Sequence, residues 1–298
     1  MDYSLLETQG YIVIPKFLNN KELEFFRKDY VNSKRHEYLV GYVLYDASSN
    51  AIQIIEKKVN SVLTLISEQT NLNVDLMVPT ARYFDNQQYY NEITRPEFHT
   101  DHQIFYFLQQ FYNYLNFWIP ITKPDPNKSG LTIIPFDKLA ELMPSHVEKI
   151  INSGATRYIT DGNTTKFIND GTGEETILPR NINEIAVSPE LSAGDVLLMR
   201  GDLIHMGQDT DTDRVAVSLR CTQSSAPINK NKLFVGGPLK QKTIKNVPKL
   251  VQNVLDLCKQ KNSDTITAGD FYRHLIEKYN KEITDPQTGT QKLALVPD

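Results

Sequence analysis

Two histidines and an aspartate restrict the folds open to this chain. The stretch Glu97-Phe-His-Thr-Asp-His102 sets His99 and Asp101 two residues apart, and Gly201-Asp-Leu-Ile-His-Met-Gly207 supplies His205 far downstream. On a β-strand, side chains two apart point to the same side, so an imidazole and a carboxylate at a strand end can meet one ion. The third ligand must then come from another strand. Two histidines and one carboxylate form the facial donor set of non-haem Fe(II), which leaves positions open for a cosubstrate and oxygen. Taken alone, His-x-Asp is equally at home in a surface turn or a cap, so the surroundings of His205 carry the decision.

Those surroundings are ordered. Leu191-Ser-Ala-Gly-Asp195 reads as a turn, residues 196–199 as an apolar strand, and His205 follows a second turn. After a polar loop, Arg214-Val-Ala-Val-Ser-Leu-Arg220 alternates as a strand. The planar guanidinium fork holds a carboxylate bidentately. An arginine at position 214 therefore suits the far carboxylate of 2-oxoglutarate, whose 2-oxo acid end chelates iron. Arg220 shares the inward face with Arg214, Ala216 and Ser218 and competes for the anion.

At this point the chain resembles the phytanoyl-CoA dioxygenase-like Fe(II)/2-oxoglutarate oxygenases, over roughly residues 9–222. Gly10-Tyr-Ile-Val-Ile-Pro-Lys-Phe-Leu18 and Lys21-Glu-Leu-Glu24 look like that family's opening strand and first helix. Leu115-Asn-Phe-Trp-Ile-Pro-Ile-Thr122 and Ser129-Gly-Leu-Thr-Ile-Ile-Pro135 follow its central strand and loop. The Ala-Gly-Asp…His…Arg-x-Ala-x-Ser block is the most specific part. Phe136-Asp-Lys138 and Gly207 depart from the pattern, and no substrate contact is carried over from them. The resemblance implies a mainly β fold with flanking helices, built on a double-stranded β-helix (jelly-roll or cupin-type) core. It implies Fe(II) on His99, Asp101 and His205, and 2-oxoglutarate on Arg214, preferred over Arg220 by family spacing. It also places Trp118 near the cosubstrate, with Asn116 and Ser218 as further contacts.

Composition narrows the classes. The 298 residues carry a net charge of −4, which argues against a general nucleic-acid binder, since phosphate neutralisation needs a basic face. No run approaches the roughly 20 apolar residues of a membrane span, and no secretion signal is visible. Two cysteines, Cys221 and Cys258, suggest no disulfide framework and fit a reducing cytoplasm.

The coarse pattern is one catalytic domain over 1–298. Helices are expected to dominate to about 75, with one over 20–34 capped by Asn19 or Asn20 and one over 50–69. Strands are expected over 77–84, 97–106, 112–121, 130–134, 184–188, 195–199, 203–206 and 214–222, a β-helix core of about 76–224. An insertion of about 136–183 reads as a helix followed by turns or a mobile loop. Beyond 225, two helices over 247–261 and 268–280 form an extension.

Thirteen aromatic residues between Tyr83 and Trp118 surround the His-x-Asp pair, and most are expected to be core. Asn116 and Trp118 share a strand face, and only one of Arg82 and Tyr83 can face inward. Arg220, Arg82 and Tyr83 are the candidate substrate contacts. His102 is expected on the opposite face from Asp101. Asp209, Asp211 and Asp213 lack the glycine and glutamate of a calcium loop. The resemblance implies conversion of 2-oxoglutarate to succinate and CO2, coupled to oxidation of an unactivated C–H bond in a small molecule. Asp101 favours hydroxylation over halogenation, which needs a small residue there; desaturation and cyclisation stay open. The alternatives are a protein or peptide hydroxylase and a non-enzymatic or differently metallated small-molecule-binding barrel. Oligomeric state is silent.

Overall fold

The computed structural model describes residues 1–33, 35–37, 43–86, 97–101, 109, 112–151, 153–208, 212–245 and 247–283. The first part runs α1 (Leu5–Thr8), β1 (Tyr11–Ile14), α2 (Asn20–Asn32), β2 (Arg35–Glu37), β3 (Val43–Asp46), α3 (Ser49–Gln69) and β4 (Leu76–Asp85). The middle supplies β5 (Phe98–His99), β6 (Tyr114–Thr122), β7 (Leu131–Ile134), β8 (Thr156–Asp161), β9 (Thr164–Asn169) and β10 (Glu174–Leu178). Then come β11 (Val196–Arg200), β12 (Ile204–Gly207) and β13 (Val215–Thr222), followed by a ribbon of β14 (Pro227–Asn229) and β15 (Thr265–Thr267).

Two antiparallel sheets form the body. The larger has the order β1-β11-β6-β13-β4-β3-β2, the smaller β10-β9-β8-β5-β12-β7. Their inner faces pack through Trp118, Leu197, Met199 and Ala216 of one and Leu131, Ile133 and Leu203 at the other. This is the double-stranded β-helix expected. The outer face of the large sheet is closed by helices: Leu115, Phe117, Ile119 and Ile121 of β6 join Leu23 and Phe26 of α2 and Ile55, Val59, Leu63 and Ile66 of α3. Strand β6 reads almost continuously apolar because both of its faces are covered.

Local chemistry explains the element ends. At α2, the Asn19 side chain accepts from the Glu22 amide at 3.0 Å while Glu22 accepts from the Asn19 amide at 2.8 Å, a reciprocal capping box. Helix α3 buries Ala51, Ile55, Val59, Val62, Leu63 and Ile66, the single apolar stripe that helical spacing produces. Gly194 turns the chain into β11 at φ +92°, and a Cβ there would lie 3.0 Å from the Leu18 carbonyl.

Some elements fall where expected and others do not. Before residue 75 the chain adds β2 and β3 to the large sheet beside the expected opening strand β1, so the segment is less purely helical than expected. The insertion begins with the expected helix, Phe136–Leu142, and the two Gly-containing clusters are turns as one of the two readings had them; the strands they join, β8, β9 and β10, form an unexpected meander that widens the small sheet. The strand expected over 184–188 is a 3₁₀ turn, Ile182–Ile185, followed by one bridge from Val187 to Ile133. The two C-terminal helices are present as expected, Pro248–Gln260 and Ala268–Ile283, and enclose Val251, Val254, Leu257, Phe271 and Leu275 around Ile228 and Tyr114, so the extension docks against the end of β6. His102, Asp209 and Asp211 lie outside the described residues. Among the described residues, no helix is long and apolar enough to cross a membrane.

Candidate metal centre

Strand pairing brings the two distant histidines together. His205 on β12 stands directly opposite His99 on β5, with Ile133 of β7 on its other side. Their neighbours Phe98 and Ile204 belong to the outer core of the small sheet, so both imidazoles project inward, their ring centroids 4.7 Å apart. Each ring is fixed by the carbonyl two residues before it. His99 Nδ1 lies 2.8 Å from the Glu97 oxygen and His205 Nδ1 lies 2.9 Å from the Leu203 oxygen. A carbonyl only accepts, so Nδ1 carries a proton in both rings and, in the neutral imidazole, Nε2 is the atom with the lone pair.

The turn before His205 is locked independently. Arg200 and Asp202 form a buried bidentate pair at 2.9 and 2.5 Å. The guanidinium lies 4.4 Å from the Tyr112 ring centre and 4.6 Å from that of Phe136. The Leu203 amide bonds back to the Arg200 carbonyl at 3.1 Å. Asp202 thus anchors the turn whose carbonyl sets the His205 tautomer.

Asp101 completes the cluster. One ligand atom from each of His99, Asp101 and His205 falls within 4.8 Å of the other two, and Asp101 Oδ1 lies 3.9 Å from His205 Nε2. The other carboxylate oxygen faces the large sheet. Asn116 Nδ2 donates to Oδ2 at 2.6 Å, and the Arg220 guanidinium stands 3.6 Å from it. Burial alone would raise the carboxyl, but the Arg220 guanidinium, then His205 and His99 when protonated, and the Asn116 hydrogen bond outweigh it and hold the group down at about 2. The carboxylate is therefore charged, with one oxygen bound from behind and one turned to the histidines. Two unprotonated imidazole nitrogens and one free carboxylate oxygen fit a single divalent ion of the non-haem iron type.

Arg214 marks the opposite end of the inner face. Its guanidinium lies 5.3 Å from the Trp118 ring centre, and its Nε donates to the Ser129 carbonyl at 3.1 Å. Asn86 holds this backbone in place: its amide donates to the Arg214 carbonyl at 3.0 Å, and its side-chain oxygen accepts from the Arg214 amide at 2.7 Å. Lys123, buried close by, donates to the carbonyls of Asp125 and Pro126 at 2.9 and 2.6 Å. Burial above all pushes its ammonium down to about 8, with Asp125 opposing the shift and Arg214 adding to it.

The remaining candidates separate by face. Ser218 pairs with Trp118 across β13 and β6, and with Arg82 across β13 and β4, so all three look inward. Arg82 is paired there with Asp46 at 3.4 Å. Tyr83 points the other way, into the helix-covered core, where its hydroxyl donates to Asp29 at 2.6 Å. It is a packing residue, and its candidacy as a substrate contact falls. Asn116 and Arg220, expected to contact cosubstrate and substrate, meet the Asp101 carboxylate. Asn86 and Lys123 were not legible from the sequence, where no motif marks them.

The family model "Phytanoyl-CoA dioxygenase (PhyH)" matches residues 6–216. Among curated proteins, none matches the sequence significantly. Solved structures with a similar chain path include the non-heme alpha ketoglutarate dependent epimerase SnoN from nogalamycin biosynthesis, at 12% identity and a TM-score of 0.48, covering 76% of this chain and 83% of that one. Another is HygX from Streptomyces hygroscopicus with nickel and 2-oxoglutarate bound, at 12% identity and a TM-score of 0.46, covering 75% and 86%. A third is the carbocyclase SnoK from nogalamycin biosynthesis, at 16% identity and a TM-score of 0.42, covering 76% and 85%.

Proposed function

The chain belongs to the phytanoyl-CoA dioxygenase family of Fe(II)- and 2-oxoglutarate-dependent oxygenases, and from that premise we propose that it oxidises an unactivated C–H bond of a small-molecule metabolite, by hydroxylation in the first instance. The observation that carries the reading is the donor set: two imidazoles locked as Nδ1–H tautomers and a carboxylate bound on one oxygen only, converging from three segments. A barrel that had lost its iron chemistry has no need of such an arrangement.

Each residue has a defined task. His99, Asp101 and His205 would hold Fe(II) on one face and leave the opposite positions open. Asn116 and Arg220 keep Asp101 Oδ2 occupied, so the aspartate offers the ion a single oxygen and does not close a second position. Arg214, braced by Asn86 and the Ser129 carbonyl, would take the far carboxylate of 2-oxoglutarate, with Trp118 beneath the guanidinium and Ser218 beside it. Lys123 adds a second cation near that carboxylate. When bound, iron and 2-oxoglutarate supply the oxidising power, with O2 consumed, succinate and CO2 released and a hydrogen atom taken from the substrate. The protein supplies orientation and keeps water out.

The test is turnover of the cosubstrate alone. Purified chain with Fe(II), ascorbate, O2 and 2-oxoglutarate should form succinate slowly even without substrate, and His205→Ala should not. Succinate formed equally by both proteins, or by neither, would contradict the reading.

A further inference from the structure

Inward-facing side chains of β6 and β13 form rungs that cross the site in a fixed order: Trp118 with Ser218, then Asn116 with Arg220, then Tyr114 with Thr222. Neighbouring rungs are about 7 Å apart, from the rise of two strand residues. Arg214 and Trp118 occupy one end, and the carboxylate of Asp101 is bound at the middle rung. Resting on the function proposed above, 2-oxoglutarate must then lie between the metal ligands and Arg214. The Tyr114–Thr222 rung flanks the metal ligands on the far side.

That far side carries an anomaly. Buried polar atoms ordinarily find hydrogen-bond partners. Tyr114 Oη, Asn116 Oδ1 and Thr222 Oγ1 have none, and all three are sealed from solvent. Their residues are at most 2% exposed. They sit on two successive rungs, beginning at the side chain that binds Asp101. Arg220 on the same stretch is already engaged with Asp101. The Tyr114 ring is packed into the core that Phe271 and Leu275 of the last helix share with Ile228.

We propose that the Tyr114–Thr222 rung, together with the Asn116 carbonyl oxygen, receives the polar end of the substrate, a small molecule with neighbouring hydroxyl or amine groups, and that the C-terminal extension is the wall of this subsite. The chemistry of the three atoms sets the class. Asn116 Oδ1 only accepts, so the ligand must present an O–H or N–H beside the metal. The Thr222 hydroxyl both donates and accepts. Burial pushes the Tyr114 phenol well above its ordinary range, so it stays protonated and is a donor as well. An all-hydrocarbon ligand would leave every one of these atoms unpaired. A ligand with adjacent hydroxyls or amines pairs them at once, next to the carbon delivered to the iron.

The experiment uses the full chain loaded anaerobically with Fe(II) and 2-oxoglutarate, as wild type, Tyr114→Phe and Thr222→Val. Neither hydroxyl hydrogen-bonds a metal ligand, so the visible charge-transfer band should be the same in all three proteins. Its absence from the wild type would refute the oxygenase reading itself, separately from this proposal. Because each substitution removes a hydroxyl that has no partner, both variants should melt at or above the wild-type midpoint. Glycerol, myo-inositol and glucosamine serve as probes. At least one should perturb the wild-type band, and both variants should need about tenfold more of it, the loss expected of one buried hydrogen bond. Lower melting midpoints in the variants would mean that the hydroxyls are bonded inside the fold and would overturn the proposal. So would an unchanged probe response in the variants, or no response of the wild type to any of the three probes.

Discussion

The two faces of the seven-stranded sheet do opposite work on the same residues' neighbours. On β6, Leu115, Phe117, Ile119 and Ile121 disappear under α2 and α3, while Tyr114, Asn116 and Trp118 line the interior. On β13, Val215, Val217, Leu219 and Cys221 take the first role, and Ser218 and Arg220 take the second. One residue along the chain separates a side chain packed under the helices from one that faces the His99–Asp101–His205 interior. The outer face is apolar and sealed. The inner face keeps charged and unpaired polar groups buried, which a fold tolerates where they are functional.

That contrast can be broken from either side. The largest effect should come from the metal ligands: His99→Ala should abolish measurable Fe(II) binding, read by anaerobic titration, while far-ultraviolet circular dichroism and melting stay near wild type. The mirror experiment is Phe117→Ala on the outer face, which should lose about 3–5 kcal/mol of stability through the cavity it leaves. Its iron affinity, measured below the melting transition, should be unchanged; a large loss of affinity would show that the faces are not independent.

Smaller changes sharpen the inner face. Arg214→Ala should weaken 2-oxoglutarate binding about 30-fold or more, because an anion is left without its buried partner. Arg220→Ala should leave 2-oxoglutarate affinity nearly intact, which discriminates the two arginines. Asn116→Ala should weaken Fe(II) binding about 10- to 100-fold, the usual penalty for removing a group that orients a metal ligand. Equilibrium dialysis would check it, and unchanged affinity would show that Asp101 orients itself. The smallest effect is in pH. Lys123 titrates at about 8 in the folded chain, below its ordinary 10.5. It is charged below that pH and neutral above it, so 2-oxoglutarate affinity should fall a few-fold as pH rises through about 8. Lys123→Met should flatten that step.

The convergence of His99, Asp101 and His205 and the two-sheet core were legible because residue type and spacing carry them: His-x-Asp at a strand end, and a histidine between a Gly-Asp turn and an alternating strand. The phase of β4 was not. Alternation shows that Arg82 and Tyr83 take opposite faces, but which face is inside depends on where α2 lies, and Asp29 of α2 claims the Tyr83 hydroxyl. The roles of Asn116 and Arg220 were hidden for a similar reason. Asp101 reaches them across the space between two sheets, and no local pattern encodes that contact. The meander from β8 to β10 was readable in principle. Thr156-Arg-Tyr-Ile-Thr160 alternates buried with less buried positions on its way to a Gly-containing turn, but the density of turn residues obscured it.

The central claim is that His99, Asp101 and His205 hold iron while Arg214 holds 2-oxoglutarate beside it. Anaerobic addition of Fe(II) to the chain with 2-oxoglutarate, followed by visible absorption, tests it most directly. A weak charge-transfer band should appear in the wild type, vanish in His99→Ala and require far more cosubstrate in Arg214→Ala. A correctly folded wild type that binds Fe(II) without the band, or a band that survives loss of His99, would contradict the account.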